Sequence, residues 1–185
     1  MTTKTISAPL SDKDVMQLRA GDNVFISGVI YTGRDAAHKK LADLIAAGEP
    51  LPVDLRGQLI YYVGPSPAKP GKVIGSAGPT TSGRMDAYTP ALLAQGLKAC
   101  IGKGSRSQVV RDALAQYKGV YLAATGGAAA LLAKTVSKAE VVAYPELGAE
   151  AIYRLEVVDF PATVVNDAYG GDVYEDGRRQ YFISD

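Results

Sequence analysis

The run Asn23 to Tyr31 (Asn-Val-Phe-Ile-Ser-Gly-Val-Ile-Tyr) is dominated by β-branched and aromatic residues, which predicts a largely buried strand. From Ala36 to Ala47 the period changes, and Leu41, Leu44 and Ile45 form the apolar stripe of a helix that Pro50 and Pro52 end. The same alternation of apolar strand and amphipathic helix recurs downstream. Gln58 to Val63 and Lys72 to Ala77 read as strands, flanking a breaker-rich surface loop from Gly64 to Gly71. Asp86 to Gln95 reads as a helix with Pro90 tolerated in its first turn, Leu97 to Ile101 as a short strand, and Ser107 to Tyr117 as a helix. Val120 to Ala124 is a further strand, followed by an alanine-rich helix to about Ala133.

The two ends differ from this middle. Thr3 to Leu10 predicts an extended N-terminal arm, and Ser11 to Asp14 a capping-box variant opening a short helix that reaches Arg19 and stops at Gly21. Towards the C-terminus, Lys138 to Tyr144 alternates weakly, and Tyr153 to Asp159 and Ala162 to Asn166 read as strands interrupted at Pro161. Asp167 to Gly171 predicts a turn, and Val173-Tyr174 a strand pairing across Asp176-Gly177 with Gln180 to Ile183. Mixed strands, then βα units, then an antiparallel tail predict a single mixed α/β domain over residues 1–185, with residues 1–10 as the arm.

Composition removes several function classes. Twenty basic residues against 19 acidic ones give a net charge of +1, so nothing global favours nucleic acid or an anionic membrane, and any anion binding must be local. No apolar run approaches membrane-spanning length and no signal-peptide core is present, which reads as a cytoplasmic protein. One cysteine, Cys100, and one histidine, His38, cannot assemble a cysteine-based cluster or a multi-histidine metal site. Cys100 lies in an apolar run and is expected to be a buried structural thiol.

Local chemistry gathers at three strand-to-helix turns. These are Thr32-Gly33-Arg34-Asp35, the run Gly78-Pro79-Thr80-Thr81-Ser82-Gly83-Arg84-Met85-Asp86, and Ile101-Gly102-Lys103-Gly104-Ser105-Arg106-Ser107. Each combines glycine, which lets backbone N–H groups approach a ligand, with a cation and a helix start that favours negative charge. Neither Gly96 to Lys103 nor Gly64 to Lys72 has the spacing or the hydroxyl of a nucleotide-binding P-loop. The pattern therefore suits carboxylates better than nucleotides, or is ordinary strand-to-helix punctuation. Arg34 and His38 stand one turn apart and can share a face. Asp35 and Asp86 follow arginines or close their motifs, where they orient cations or cap helices; Ser105, Arg106 and Ser107 are placed to cap the next helix.

Taken together, Tyr31 to Lys39, Gly78 to Asp86, Ile101 to Gly104 and the closing segments Leu155 to Ala162 and Val164 to Asp167 resemble the β subunit of class I fumarate hydratases. They also resemble the β subunit of L-tartrate dehydratase and the C-terminal half of single-chain class I fumarases. The resemblance covers essentially the whole chain and implies a swivelling β/β/α fold. It implies an α partner that carries an oxygen-sensitive 4Fe-4S cluster, an α2β2 assembly, and a small dicarboxylate substrate held between subunits. Carried over residue by residue, it assigns substrate binding to Arg34, Thr80, Arg84 and Lys103, and a general-base role to Thr80, with Lys103 as a second catalytic group. His38 either assists Arg34 or lines the pocket. The Gly83-Arg84-Met85-Asp86 and Lys103 to Ser107 segments are more similar to the fumarases, with tartrate dehydratase as the alternative. A non-catalytic anion-binding or scaffold module is the reading from another class.

Overall fold

A computed structural model describes residues 2–182. Its strands are β1 (Thr3–Ala8), β2 (Asn23–Thr32), β3 (Leu59–Tyr61), β4 (Ala99–Gly102), β5 (Val120–Ala123), β6 (Val136–Ala143) and β7 (Ile152–Asn166). The helices are α1 (Asp12–Met16), α2 (Asp35–Ala47), α3 (Thr89–Ala94), α4 (Gln108–Tyr117), α5 (Ala129–Lys134) and α6 (Val173–Tyr181). The strands join in one seven-stranded sheet of order β1-β2-β3-β4-β5-β7-β6. A second edge of β2 pairs antiparallel with β7, so β2, β3, β4, β5 and β7 close on themselves as a small barrel. Strands β1 to β5 are mutually parallel, and β7 returns antiparallel to β2, β5 and β6.

Period-2 alternation divides each central strand between two cores. Leu59 and Tyr61 of β3 and Ile101 of β4 face the barrel interior with Ile26, Ile30, Phe160 and Val164. Ile60, Tyr62 and Cys100 face outwards against Leu41 of α2, Leu92 of α3 and Leu114 of α4. Both faces of the parallel strands are therefore covered, as parallel pairing requires. The result is one mixed α/β domain with two β layers and a helical layer. Cys100 is fully buried, and burial pushes its thiol upward from its usual pKa.

Local signals account for much of this. Ser11 and Asp14 form the reciprocal capping box expected of α1, although that helix closes at Met16 rather than Arg19. Helix α2 ends on Gly48, not on the prolines: Gly48 is left-handed at φ 69°, and Glu49 N–H reaches Leu44 O while Gly48 N–H reaches Ile45 O. The stretch read as an arm is extended, and its residues Thr3 to Ala8 are tied into the sheet beside β2.

Three further expectations differ from the structure. Lys72 to Ala77 is not a strand. Pro65, Pro67 and Pro70 opposite it lack ladder donors, and Gly75 lies so close to Ser66 and Pro67 that a Cβ would fall 2.1 Å from a carbonyl oxygen. The tail is one strand, β7, and it runs through Pro161. The irregularity nearest Pro161 sits at Asp159 (φ 51°), where Val158 and Asp159 oppose Ser27 alone and Ser27 Oγ accepts the Asp159 N–H. The expected C-terminal hairpin is instead helix α6, because Asp172 caps Tyr174 and Glu175 N–H and is itself held by Arg111. Ile183 of that expected hairpin lies outside the described residues.

Candidate functional site

The C-terminal ends of parallel strands point the same way, and in open α/β sheets ligands gather there. Register places the three glycine turns on that edge. Thr32 pairs with Tyr61 and Tyr61 with Ile101, so Arg34 and Lys103 follow β2 and β4 with only β3 between them. That is roughly 10 Å across two strand spacings. The Thr80 motif joins the same edge by hydrogen bonds. Thr80 N–H donates to Tyr62 O at 2.7 Å, Lys103 N–H to Thr80 O at 3.2 Å and Ser82 N–H to Lys103 O at 2.8 Å. Gly102 is required at this crossing, because a Cβ there would stand 2.0 Å from Ser82 Oγ.

Thr80 is nearly buried, and its hydroxyl makes no hydrogen bond among the described residues. Lys103 is exposed, runs past Gly126, and its ammonium has no partner among the described residues. Arg34, in the N-cap position of α2, lies against Gly64, where any Cβ would meet its guanidinium at 2.9 Å. Its Nε donates to Glu150 Oε1 at 2.5 Å, and Glu150 Oε2 accepts Ala36 N–H, so both terminal guanidinium nitrogens stay without partners among the described residues. Arg84 lies on the 3-10 turn Ser82–Met85 and grips Asp35 with Nε at 2.9 Å and Nη2 at 2.5 Å.

The acids thus serve arginines other than their sequence neighbours. Asp35 holds Arg84, while Asp86 accepts Arg106 Nε and Ser107 N–H, both at 2.7 Å. Arg106, expected as a cap residue, has a fully buried side chain instead. His38 does not line the edge. It is buried beneath the Arg34 turn, with Nδ1 3.0 Å from Arg34 O and its ring edge-on to Tyr62. A carbonyl only accepts, so Nδ1 carries the proton and the buried Nε2 is an acceptor without a partner among the described residues. Burial, reinforced by the charge of Arg106 and opposed by the Arg34 carbonyl and Asp35, pulls the His38 pKa down to about 4. His38 is neutral at pH 7, and its Nδ1–H donates to the Arg34 backbone carbonyl. Sequence reasoning missed Glu150, because nothing near it in the chain marks its reach to Arg34.

Two guanidinium groups, an ammonium and a hydroxyl on one edge suit a small multivalent carboxylate, which arginine binds with parallel hydrogen bonds. The family model described as "Fumarase C-terminus" matches residues 2–177. The chain belongs to that family. Among its relatives is the anaerobic class I fumarate hydratase of Escherichia coli K12, 44% identical over 93% of this chain and 31% of the relative. Fumarate hydratase 2 of Leishmania major is 41% identical over 88% of this chain and 29% of its own length. A protein of Methanocaldococcus jannaschii, provisionally named L(+)-tartrate dehydratase subunit beta, is 40% identical over 94% of this chain and 92% of the relative. The chain spans about a third of the length of the fumarate hydratases it matches. As a Fumarase C-terminus domain it supplies the edge just described, without any group of three or more metal-ligating side chains among the described residues. No described helix is long and apolar enough to cross a membrane.

Proposed function

We propose that this chain is the β component of a hydro-lyase that adds water to, or removes it from, a small dicarboxylate. Fumarate and malate are the favoured pair, with tartrate as the alternative. The observation that carries the reading is the gathering of Arg34, Thr80, Arg84 and Lys103 on one strand edge. Names of relatives on both sides of that choice support the reaction class. The M. jannaschii relative, itself named as a subunit, supports work alongside a separate α chain.

In this reading Arg34 and Arg84 hold the substrate carboxylates. A proton beside a carboxylate is only weakly acidic, and charge building on that carboxylate as the proton leaves is stabilised best by fixed cations in a closed site. Arg34 offers its two free terminal nitrogens, and Arg84 exchanges the exposed Asp35 for substrate. The Thr80 hydroxyl is the candidate proton carrier. A threonine is intrinsically a poor base, and Lys103, whose turn pairs with the Thr80 segment through the backbone, is the second catalytic group of this reading.

The 4Fe-4S cluster implied by the family resemblance does not fit this chain. Its only cysteine is buried in the core, and its only histidine is enclosed beneath Arg34. The cluster is therefore assigned to the α partner, in an α2β2 assembly placed in the cytoplasm. The test is to purify the chain alone and with a co-expressed α chain under anaerobic conditions, then assay fumarate, malate and tartrate. Activity is expected only in the complex; interconversion of malate and fumarate by the chain alone at enzyme-like rates would refute the division of labour.

A further inference from the structure

We infer that Arg106 is a positioning residue for the proposed reaction, holding the Lys103 turn in register with the Thr80–Arg84 segment. This deepens the functional reading above and rests on it for the reaction.

Arg106 has a side chain of 0% exposure, and its guanidinium donates from Nε to Asp86 at 2.7 Å, from Nη1 to Tyr62 OH at 3.3 Å and from Nη2 to Thr89 Oγ1 at 2.7 Å. It also lies 5.4 Å from the Tyr62 ring centre and 5.0 Å from that of Tyr121. A buried cation held from so many directions has one position. Each partner belongs to a segment that carries or supports a site residue. Asp86 follows Arg84 by two positions, Tyr62 accepts the Thr80 N–H on its own carbonyl, and Arg106 follows Lys103 by three. Tyr121 adds a second tie. Its hydroxyl accepts from Ser82 Oγ at 2.9 Å and donates to Gly104 O at 2.7 Å, tying the two segments together one residue past the parallel Thr81–Lys103 bridge.

The side chains of Arg106, Tyr62, Thr89, Ser82 and Tyr121 are all buried, so none of them needs to touch substrate. Stability alone would be served as well by apolar side chains of similar volume. What the network adds is a fixed separation between the hydroxyl and guanidinium of one turn and the ammonium of the other. A displacement of about 1 Å between reacting groups costs about 100-fold in rate.

The test uses Arg106→Lys, which keeps a cation for Asp86 but loses the planar fork, and Tyr121→Phe, which keeps the ring but loses the bracket. Amide exchange is measured by NMR on the full chain, and kinetics on the complex with its α partner, per folded and assembled molecule. Both variants should speed exchange of the Ser82 and Lys103 amides at least about 10-fold, with the Val120 and Ala124 amides unchanged. kcat/KM should fall about 100-fold for Arg106→Lys and about 10-fold for Tyr121→Phe, chiefly in kcat. A network that only stabilises the fold would speed all four amides together and leave kcat/KM per folded complex intact. If Arg106→Lys does not fold, Tyr121→Phe decides alone. Either readout at its parental value in folded Arg106→Lys, or in Tyr121→Phe where Arg106→Lys does not fold, overturns the inference. A parent complex inactive on every dicarboxylate would refute the functional reading instead, and the exchange measurement would still decide whether Arg106 and Tyr121 hold the register.

Discussion

Two arginine–aspartate pairs stand a few residues apart in the Thr80 motif and its neighbours, with similar bond lengths and opposite surroundings. Arg84 and Asp35 are 53% and 34% exposed, and Arg106 and Asp86 are 0% and 18% exposed. Water competes for the first pair and screens it, so it contributes little stability and can be exchanged for a ligand carboxylate. The second pair has lost most of its hydration, that of Arg106 entirely, and removing one partner strands the other's charge. Similar bond lengths therefore do not mean equal role. The exposed arginine is accessible to a ligand, while the buried one is enclosed by protein. Arg34 lies between these extremes, at 32% exposure with Glu150 at 23%, and its terminal nitrogens are left for a ligand.

The largest effect should come from the buried pair. Arg106→Met is expected to destabilise the chain by about 3–5 kcal/mol, because Asp86 keeps its charge without its cation. Combining it with Asp86→Leu should recover part of that loss; the Ser107 cap is not restored. Urea unfolding of the parent, single and double variants measures both. A single variant within about 1 kcal/mol of the parent would erase the contrast between the pairs.

The exposed pair should behave the other way round. Arg84→Lys keeps the charge and loses the fork, so kcat/KM in the reconstituted complex should fall by about 2–4 kcal/mol in transition-state terms. Folding stability should change by less than about 1 kcal/mol. Steady-state kinetics is read beside iron content and complex mass, and unchanged kcat/KM in an intact complex would remove Arg84 from the site.

His38 sharpens the comparison through pH, because it touches both regions: the Arg34 carbonyl and the ring of Tyr62. Its folded pKa is about 4 against an ordinary 6.5. Between these values the unfolded chain binds a proton that the folded chain refuses, so stability is full above pH 6.5 and falls as pH drops towards 4. The expected loss is up to about 3 kcal/mol. Asp22, held at about 2 by Lys4 and Thr2 against the opposing effect of burial, gives up its contribution at lower pH and does not blur this window. Urea titrations at pH 7.5 and 4.5 should show the slope in the parent and lose it in His38→Gln.

The strand-and-helix alternation, the Ser11 capping box, the glycine turns and the buried character of Cys100 were all readable along the chain. Each depends on residues within a few positions of one another, where period, caps and breakers act. The same local reasoning failed where a distant partner decided the outcome. Helix α6 forms on a cap anchored by Arg111, and Lys72 to Ala77 lies against a proline loop that offers no ladder. β7 continues through Pro161 because β2 pairs with it on both sides of a bulge. At the site, residue types and family motifs marked Arg34, Thr80, Arg84 and Lys103 from the sequence alone. Which carboxylate each arginine meets was decided by the fold, since Asp35 reaches Arg84 across 49 positions and Glu150 reaches Arg34 across 116. Strand order and register bring those groups together, and packing then decides which cations are enclosed and which stay accessible. Neither quantity is carried by any short stretch of chain.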